Sequence, residues 1–130
     1  MTAPLHVLIV EDSPLISQKL VDMVGTLPFS ALNGVVDTEA DACEQLAYDH
    51  IDVAIVDISL RQGSGFGVLR YMKGLPSEPK SIVYTNADLP PYRRAAFALG
   101  ASHFMDKNRD FQRLNELLTR LAMAKASSAH

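Results

Sequence analysis

A short apolar run, Ile51-Asp-Val-Ala-Ile-Val56, ends at the carboxylate of Asp57. Its length and its β-branched residues predict a buried strand. A carboxylate at the end of such a strand is costly to bury unless other groups compensate its charge. Polar residues also end three other apolar runs, at Glu11-Asp12, at Thr85 and at Lys107. Four predicted strands therefore end in chemically active groups, which indicates a site at one edge of a sheet.

The composition is that of one globular domain. The chain has 130 residues, 48% of them hydrophobic, which is enough to form a sizeable core. A net charge of −3 gives no basic field for nucleic acid, so we expect no direct nucleic-acid partner. Cys43 is the single cysteine, which excludes an internal disulfide. No apolar stretch is long enough for a membrane span or a signal core, so we expect no membrane insertion and a cytoplasmic location.

Strand and helix patterns alternate five times along the chain. Strands are predicted at Leu5–Val10, Ala31–Val36, Asp52–Val56, Ser81–Tyr84 and Ser102–Met105, with Asn33-Gly34 interrupting the weak second one. Together with the apolar spacing, start signals at Ser13-Pro14, Thr38, Gly63-Ser-Gly65 and Pro90-Pro91 predict four helices, and Gly100 is predicted to end the fourth. The last helix is predicted from the stripe of Phe111, Leu114, Leu118 and Leu121. We expect residues 1–125 to form the domain and residues 126–130 to form a flexible tail.

Five strand–helix units with short connections predict a parallel sheet covered by helices on both faces. Right-handed crossovers favour a doubly wound α/β fold, in which ligands bind beyond the carboxyl ends of the strands. In the strand order 2-1-3-4-5 the first and third strands are neighbours. That order places Glu11, Asp12 and Asp57 together although they are far apart in the sequence.

Three neighbouring carboxylates raise one another's pKa unless a positive charge lies between them. Mg²⁺ suits such a site, because it takes few carboxylates and often shares a phosphate oxygen. Lys107 adds a positive charge and Thr85 a hydroxyl donor. Each residue alone has an ordinary explanation; an acid pair, for example, is favourable at a helix start. Taken together, the set suits phosphoryl transfer onto a carboxylate.

The ordered combination resembles the response-regulator receiver domain of two-component signalling, a CheY-like domain. The resemblance extends from Val7-Leu-Ile-Val-Glu-Asp12 through Ile55-Val-Asp57, Gly65, Thr85 and Gly100-Ala101 to Lys107. It implies a flavodoxin-like fold of five strand–helix units. It also implies that a histidine kinase or a histidine phosphotransfer protein is the partner that supplies the phosphoryl group.

The same resemblance implies a role for each site residue. Asp57 is the implied phosphoacceptor. Asp12, Asp57 and the backbone carbonyl of Ser59 are the implied direct ligands of Mg²⁺, and Glu11 is expected to hold the ion through a water molecule. Thr85 and Lys107 are expected to bind phosphoryl oxygens. Phe104 occupies the aromatic switch position, and Thr85 is expected to move with it.

Four residues depart from the usual pattern of the family. Arg61 stands four residues after Asp57, where proline is usual, so it is free to reach the site or a partner. Asn108 replaces the proline that usually follows the lysine and commonly supports a cis bond; the sequence leaves open whether the Lys107–Asn108 bond is cis. Asn86 stands where a small residue is frequent, and Phe104 lacks the hydroxyl of a tyrosine.

Two alternatives and the output stay open from the sequence. A dehalogenase-like phosphatase also uses a strand-end Asp, Mg²⁺ and a Lys, but its second Asp would stand where this chain has Ser59. A protein-binding module that ignores phosphate is the other alternative. We expect a stand-alone receiver that signals through the surface of its fourth helix, fifth strand and fifth helix. That surface would bind a downstream protein or a second copy of the chain.

Overall fold

The computed structural model describes residues 3–128, which form a five-stranded parallel sheet with helices on both faces. The elements in chain order are β1 (Leu5–Val10), α1 (Pro14–Thr26), β2 (Ser30–Val36), α2 (Glu39–Tyr48), β3 (Val53–Val56), α3 (Gly65–Lys73), β4 (Lys80–Thr85), α4 (Pro90–Ala98), β5 (His103–Asp106) and α5 (Phe111–Ser128). The strand order is β2-β1-β3-β4-β5, so the predicted doubly wound fold is confirmed. Within residues 3–128, every helix is too short or too polar to reach across a bilayer.

The central strands are apolar throughout because both of their faces are covered. In β3, Val53 and Ile55 pack into a cluster with residues of α1 and α5. The alternate residues, Ala54 and Val56, pack into a second cluster with residues of α2, α3 and α4. The sheet therefore separates two hydrophobic cores, and the carboxylate of Asp57 follows directly after the last apolar residue of β3.

The helix ends follow the predicted end signals. The Ser13 hydroxyl accepts a hydrogen bond from the Ile16 amide at 3.4 Å, and the Thr38 hydroxyl accepts one from the Asp41 amide at 3.1 Å. Gly100 follows α4 with a φ of +96°, a conformation that glycine adopts without steric cost. These local contacts fix where α1, α2 and α4 begin or end.

The interruption predicted at Asn33-Gly34 is a bulge inside a continuous second strand. The register between β1 and β2 shifts by one residue at Asn33. The Gln45 side-chain amide of α2 donates to the Asn33 carbonyl oxygen at 2.7 Å. It lies so close to Gly34 that a Cβ there would overlap it. The extra residue thus gives β2 a fixed contact with α2.

The last helix, α5, continues to Ser128, so residues 126–128, which the sequence assigned to a flexible tail, are helical. Lys125 explains the extension, because its ammonium donates to Asp52 at 2.6 Å and to the Pro4 carbonyl oxygen at 2.8 Å. These contacts join residues far apart in the chain, so no local pattern shows them. Residues 129 and 130 of the predicted tail lie outside the described residues, and the domain boundary stays a prediction.

Asp52 is the centre of a polar cluster at the amino end of β3. One carboxylate oxygen accepts hydrogen bonds from the His6 backbone amide at 2.7 Å and from Lys125, and the other lies 3.0 Å from the His50 imidazole. Burial acts to raise the pKa of Asp52, but the hydrogen bonds from His6 and Lys125 outweigh it and lower that pKa. A lowered pKa means that the ionised carboxylate stabilises the fold, and that this contribution is lost as the pH falls through the folded-state pKa.

We therefore predict that Asp52→Asn lowers the free energy of unfolding by about 1–2 kcal/mol at pH 7. The difference from wild type should shrink as the pH falls below the ordinary aspartate pKa of about 3.9. Urea unfolding at several pH values measures both effects. Glu44→Gln is the matched control, because Glu44 is exposed on α2. An Asp52→Asn deficit that stays constant down to strongly acidic pH would contradict the argument.

Candidate functional site

The carboxyl edge of the sheet holds a cleft of about 440 Å³. Its lining comes from the last residue of β4 and from the loops that follow β1, β3, β4 and β5: Asp12, Ser13, Asp57, Ser59, Thr85, Asn86, Ala87 and Lys107. The structure thus brings together Asp12, Asp57, Ser59, Thr85 and Lys107, which the sequence singled out. Glu11 lies directly beneath, where it contacts Lys107.

The Lys107 ammonium lies between two buried carboxylates. Its Nζ is 2.8 Å from Asp57 Oδ2 and 2.7 Å from Glu11 Oε1. All three side chains are 6% exposed or less, so water screens these contacts weakly. Lys107 therefore supplies the positive charge that a buried strand-end carboxylate requires.

Burial and pairing act in opposite directions on these groups. Burial raises the pKa of Glu11 above its usual range, Asp57 adds to that effect, and hydrogen bonds from Lys107 and the Ser13 amide oppose it. Burial acts to lower the pKa of Lys107, but its bonds to Asp57 and Glu11 outweigh burial and raise that pKa. Lys107 thus stays protonated at neutral pH and keeps its positive charge beside Asp57 and Glu11.

Glu11, Asp12 and Asp57 form an acidic cluster in which one carboxylate oxygen from each residue lies within 4.8 Å of the other two. Glu11 and Asp57 are buried, whereas Asp12 is exposed at the mouth of the cleft. One lysine charge does not balance three carboxylates. Oxygen ligands with excess negative charge are the set that hard divalent cations prefer. The cluster therefore fits Mg²⁺ on its donor chemistry.

Hydrogen bonds to backbone amides orient two further groups of the cleft. The Thr85 hydroxyl accepts from the Ala87 amide at 3.2 Å, and Asp57 Oδ1 accepts from the Ser59 amide at 3.4 Å. Thr85 is 1% exposed, at the last position of β4. It therefore lies at a buried strand end, on the wall of the same cleft as Asp57.

Gly65, at the start of α3, allows the loop after Asp57 to close tightly. The Gly65 amide donates to the Ile58 carbonyl oxygen at 2.8 Å. A Cβ at position 65 would overlap the Asp57 carbonyl oxygen and the Ile58 backbone, neither of which can yield as a flexible side chain would. A glycine is therefore needed for α3 to pack directly against the end of β3.

Phe104 lies on β5, beside the strand that carries Thr85, and is 5% exposed. The Arg93 guanidinium of α4 covers the ring at 4.9 Å from its centroid, and the Phe97 ring lies 6.5 Å away. These contacts join β5 to α4. Packing and a cation–π contact hold this ring, which has no hydroxyl to form a hydrogen bond.

The structure shows the surroundings of Arg61 and the geometry of the bond before Asn108, two residues that depart from the usual pattern of the family. Arg61 pairs with Asp37, at 3.0 Å, and does not line the cleft, so the expectation that it is free to reach the site is wrong. Its long side chain reaches Asp37 in the loop that precedes α2. The residues that the structure describes contain no cis peptide bond, so the Lys107–Asn108 bond is trans.

Three residues that the sequence did not single out are next in the chain to residues that line the cleft. Tyr84 donates its hydroxyl to the Lys107 carbonyl oxygen at 3.3 Å, and Asp106 accepts a hydrogen bond from the Asn108 amide at 2.6 Å. Asp88 pairs with both Arg93 and Arg109. The adjacency of Asp106 to Lys107 was a usable signal, whereas nothing local to Tyr84 or Asp88 reveals their partners.

Comparison with known proteins agrees with this geometry. Residues 7–119 match the family described as the response regulator receiver domain. The chain therefore belongs to the response-regulator receiver domain family. Members of this family are signalling phosphoacceptors of two-component systems, which work with histidine kinases or phosphotransfer proteins, and they typically bind Mg²⁺ at an acidic pocket.

Individual relatives are similar over most of this chain but are longer. The sensory transduction protein LytT of Enterococcus faecalis is 27% identical over 114 residues, which is 88% of this chain and 46% of that protein. The transcriptional regulatory protein CitB of Klebsiella pneumoniae is 28% identical over 120 residues, or 92% and 51%. The chain thus spans about half the length of these relatives.

Solved structures show the same fold at lower identity. The response regulatory domain of mrkE from Klebsiella pneumoniae has a TM-score of 0.83 at 23% identity, over 95% of this chain and 99% of that one. The response regulator domain of Thermotoga maritima CheB has a TM-score of 0.81 at 19% identity, over 98% and 99%. The predicted flavodoxin-like architecture is therefore confirmed.

We predict that Gly65→Ala lowers the free energy of unfolding by about 1–3 kcal/mol, because the new methyl group would push on backbone at the end of β3. Gly25→Ala is the matched control. A Cβ at position 25 in α1 meets nothing within 4 Å, so alanine there should raise stability, by up to about 1 kcal/mol. Urea unfolding of both variants measures the contrast. Equal effects of the two substitutions would contradict the role given to Gly65.

Proposed function

We propose that this chain accepts a phosphoryl group on Asp57. The observation that carries the proposal is the contact of Asp57 with the Lys107 ammonium, 2.8 Å away, in a cleft that also holds Thr85. Asp57 has one oxygen held by the Ser59 amide and the other by Lys107. A carboxylate fixed in this way at a cleft wall is suited to act as a nucleophile.

The proposed transfer forms one bond and breaks one. An Asp57 carboxylate oxygen attacks the phosphorus of a phosphohistidine, the phosphorus–nitrogen bond breaks, and its electron pair returns to the imidazole. Lys107 and Thr85 then bind oxygens of the transferred group. Charge-assisted hydrogen bonds of this kind are stronger than neutral ones, so they favour the phosphorylated form.

Asp12, Asp57 and the backbone carbonyl of Ser59 are the proposed direct ligands of Mg²⁺. Glu11 is proposed to hold the ion through a water molecule, because it is buried beneath the cleft and already contacts Lys107. When bound, Mg²⁺ would offset the negative charge that three carboxylates and a phosphoryl group share. The exposed position of Asp12 supports its role as the ligand nearest to the incoming ion.

The proposed donor is a histidine kinase or a histidine phosphotransfer protein. The proposed output of the receiver domain is a change in the surface of α4, β5 and α5, which then binds a downstream protein or a second copy of the chain.

We predict that Asp57 is the sole phosphoacceptor. With Mg²⁺ and acetyl phosphate or phosphoramidate, wild type should gain one acid-labile phosphate, detected by intact-protein mass spectrometry. Asp57→Asn should gain none, and chelation of the metal should abolish uptake by wild type. Asp49→Asn serves as the control, since Asp49 is an exposed carboxylate at the end of α2. Undiminished uptake by Asp57→Asn, or many turnovers of a generic phosphomonoester, would reject the proposal, the latter in favour of a phosphatase.

The contacts of the switch residues support a path from phosphate to α4. Thr85 is expected to turn towards the phosphoryl group, which moves the loop between β4 and α4. In that loop Asp88 pairs with Arg93 at 3.0 Å, and Arg93 covers the ring of Phe104. A shift of the loop therefore acts on both α4 and the buried aromatic ring of β5.

We predict that Thr85→Ala still accepts phosphate but responds weakly. A lost hydrogen bond to a charged group should move the equilibrium between the two states about ten- to a hundredfold towards the inactive one. Amide chemical shifts around Phe104 with and without beryllofluoride, which stands in for the phosphoryl group, measure the response. Thr26→Ala is the control, because Thr26 is exposed at the end of α1. Shifts of equal size in wild type and Thr85→Ala would reject the role of Thr85.

A further inference from the structure

Lys107 reaches the cleft from a loop in which no proline restricts the backbone. Three hydrogen bonds hold the Lys107 backbone instead. Its amide donates to the Thr85 carbonyl oxygen at 3.1 Å, and its carbonyl oxygen accepts from the Tyr84 hydroxyl at 3.3 Å. The next amide, that of Asn108, donates to the Asp106 carboxylate at 2.6 Å. Both peptide groups that flank the Lys107 Cα are therefore fixed.

Asp106 is itself held in place. It is 9% exposed, at the last position of β5. Its amide donates to the Asp110 carboxylate at 2.8 Å, and its carbonyl oxygen accepts from the Arg109 and Asp110 amides at 3.2 Å and 2.9 Å. The turn after β5 is thus held by hydrogen bonds among its backbone groups and the carboxylates of Asp106 and Asp110.

Tyr84 approaches the same turn from the neighbouring strand. The side chain is 1% exposed, and a buried phenol requires a hydrogen-bond partner for its hydroxyl. That partner is the Lys107 carbonyl oxygen. Burial raises the pKa of Tyr84, so the hydroxyl remains a donor at neutral pH. A phenylalanine would fill the same space without holding Lys107.

A fixed backbone matters because the lysine side chain is flexible. Its ammonium must lie within hydrogen-bond distance of Asp57 and Glu11 at once, and a four-carbon stem has many rotamers. Fixing the backbone reduces the positions that the ammonium can sample. Functional groups lose much of their effect when they are displaced by a few tenths of an ångström.

We propose that Asp106 and Tyr84 are positioning residues for Lys107, because their hydrogen bonds hold the Lys107–Asn108 peptide group in a loop without proline. The inference rests on the proposed function, since it concerns how Lys107 is presented to a phosphoryl group. Neither residue is a hydrogen-bond partner of the Asp57 carboxylate, which is held by the Ser59 amide and by Lys107. Their effect on phosphoryl binding therefore depends on the presence of the lysine side chain.

A double-mutant cycle separates this role from a purely structural one. Asp106→Ala and Tyr84→Phe are made in wild type and in Lys107→Ala, and beryllofluoride affinity is measured by titration calorimetry with Mg²⁺. With Lys107 present, each substitution should weaken binding about tenfold, as expected for one lost hydrogen bond. In Lys107→Ala the same substitutions should change binding by less than about twofold.

Two further variants serve as controls. Asp106→Asn keeps an acceptor oxygen for the Asn108 amide and should lose less than about threefold in affinity. Tyr71→Phe removes a hydroxyl from α3, away from the cleft, and should change nothing. If Asp106→Ala does not fold, Tyr84→Phe carries the test, because it removes one oxygen and leaves the core volume intact.

The possible results divide clearly. Three results would each overturn the positioning role: equal losses of beryllofluoride affinity with and without Lys107, no loss in either background, or binding by Asp106→Asn that is as weak as binding by Asp106→Ala. In those cases wild type still binds beryllofluoride, so the phosphoacceptor function stands. A wild type that binds no beryllofluoride would reject the proposed function itself, and the inference would fail with it.

Discussion

The ion contact between Lys107 and the buried carboxylates of Asp57 and Glu11 is the interaction on which the site depends. Buried carboxylates at strand ends would be unfavourable without a nearby positive charge. Lys107 supplies that charge to both at once, at 2.8 Å and 2.7 Å. Removing the lysine would leave the two buried carboxylates without a compensating positive charge. Adding a divalent cation would change which positive charges the two carboxylates contact. The same contact thus concerns both stability and chemistry.

The parallel sheet makes this contact possible. Each strand is followed by a helix that returns to the opposite edge, so all carboxyl ends lie together. Glu11 and Lys107 are separated by most of the chain and meet only because β1, β3, β4 and β5 end at one edge. The two hydrophobic clusters hold those strands in register. The two hydrophobic clusters therefore determine where the residues of the cleft lie.

Much of this arrangement could be predicted from the sequence, because the deciding signals are local. Strand patterns, the cap at Ser13 and the glycine at position 100 depend on neighbouring residues. The grouping of Asp12, Asp57 and Lys107 follows from the strand order. The pairing of Arg61 with Asp37 and the helical structure of residues 126–128 could not be read in this way. They depend on side chains reaching across the fold, and no periodicity records such contacts.

The Asp52–Lys125 pair gives the last helix an anchored end. From Phe111, near the cleft, to Lys125, at the opposite edge of the sheet, α5 extends about 21 Å at 1.5 Å per residue. With Lys125 as the pivot, a displacement of about 1 Å at the first turn tilts the helix axis by about 3° over that length. A helix tilted in this way would act as a lever, with the largest displacement near the cleft and the smallest near Lys125. Of the residues along α5, those in its first turns would therefore move most if the site changed shape.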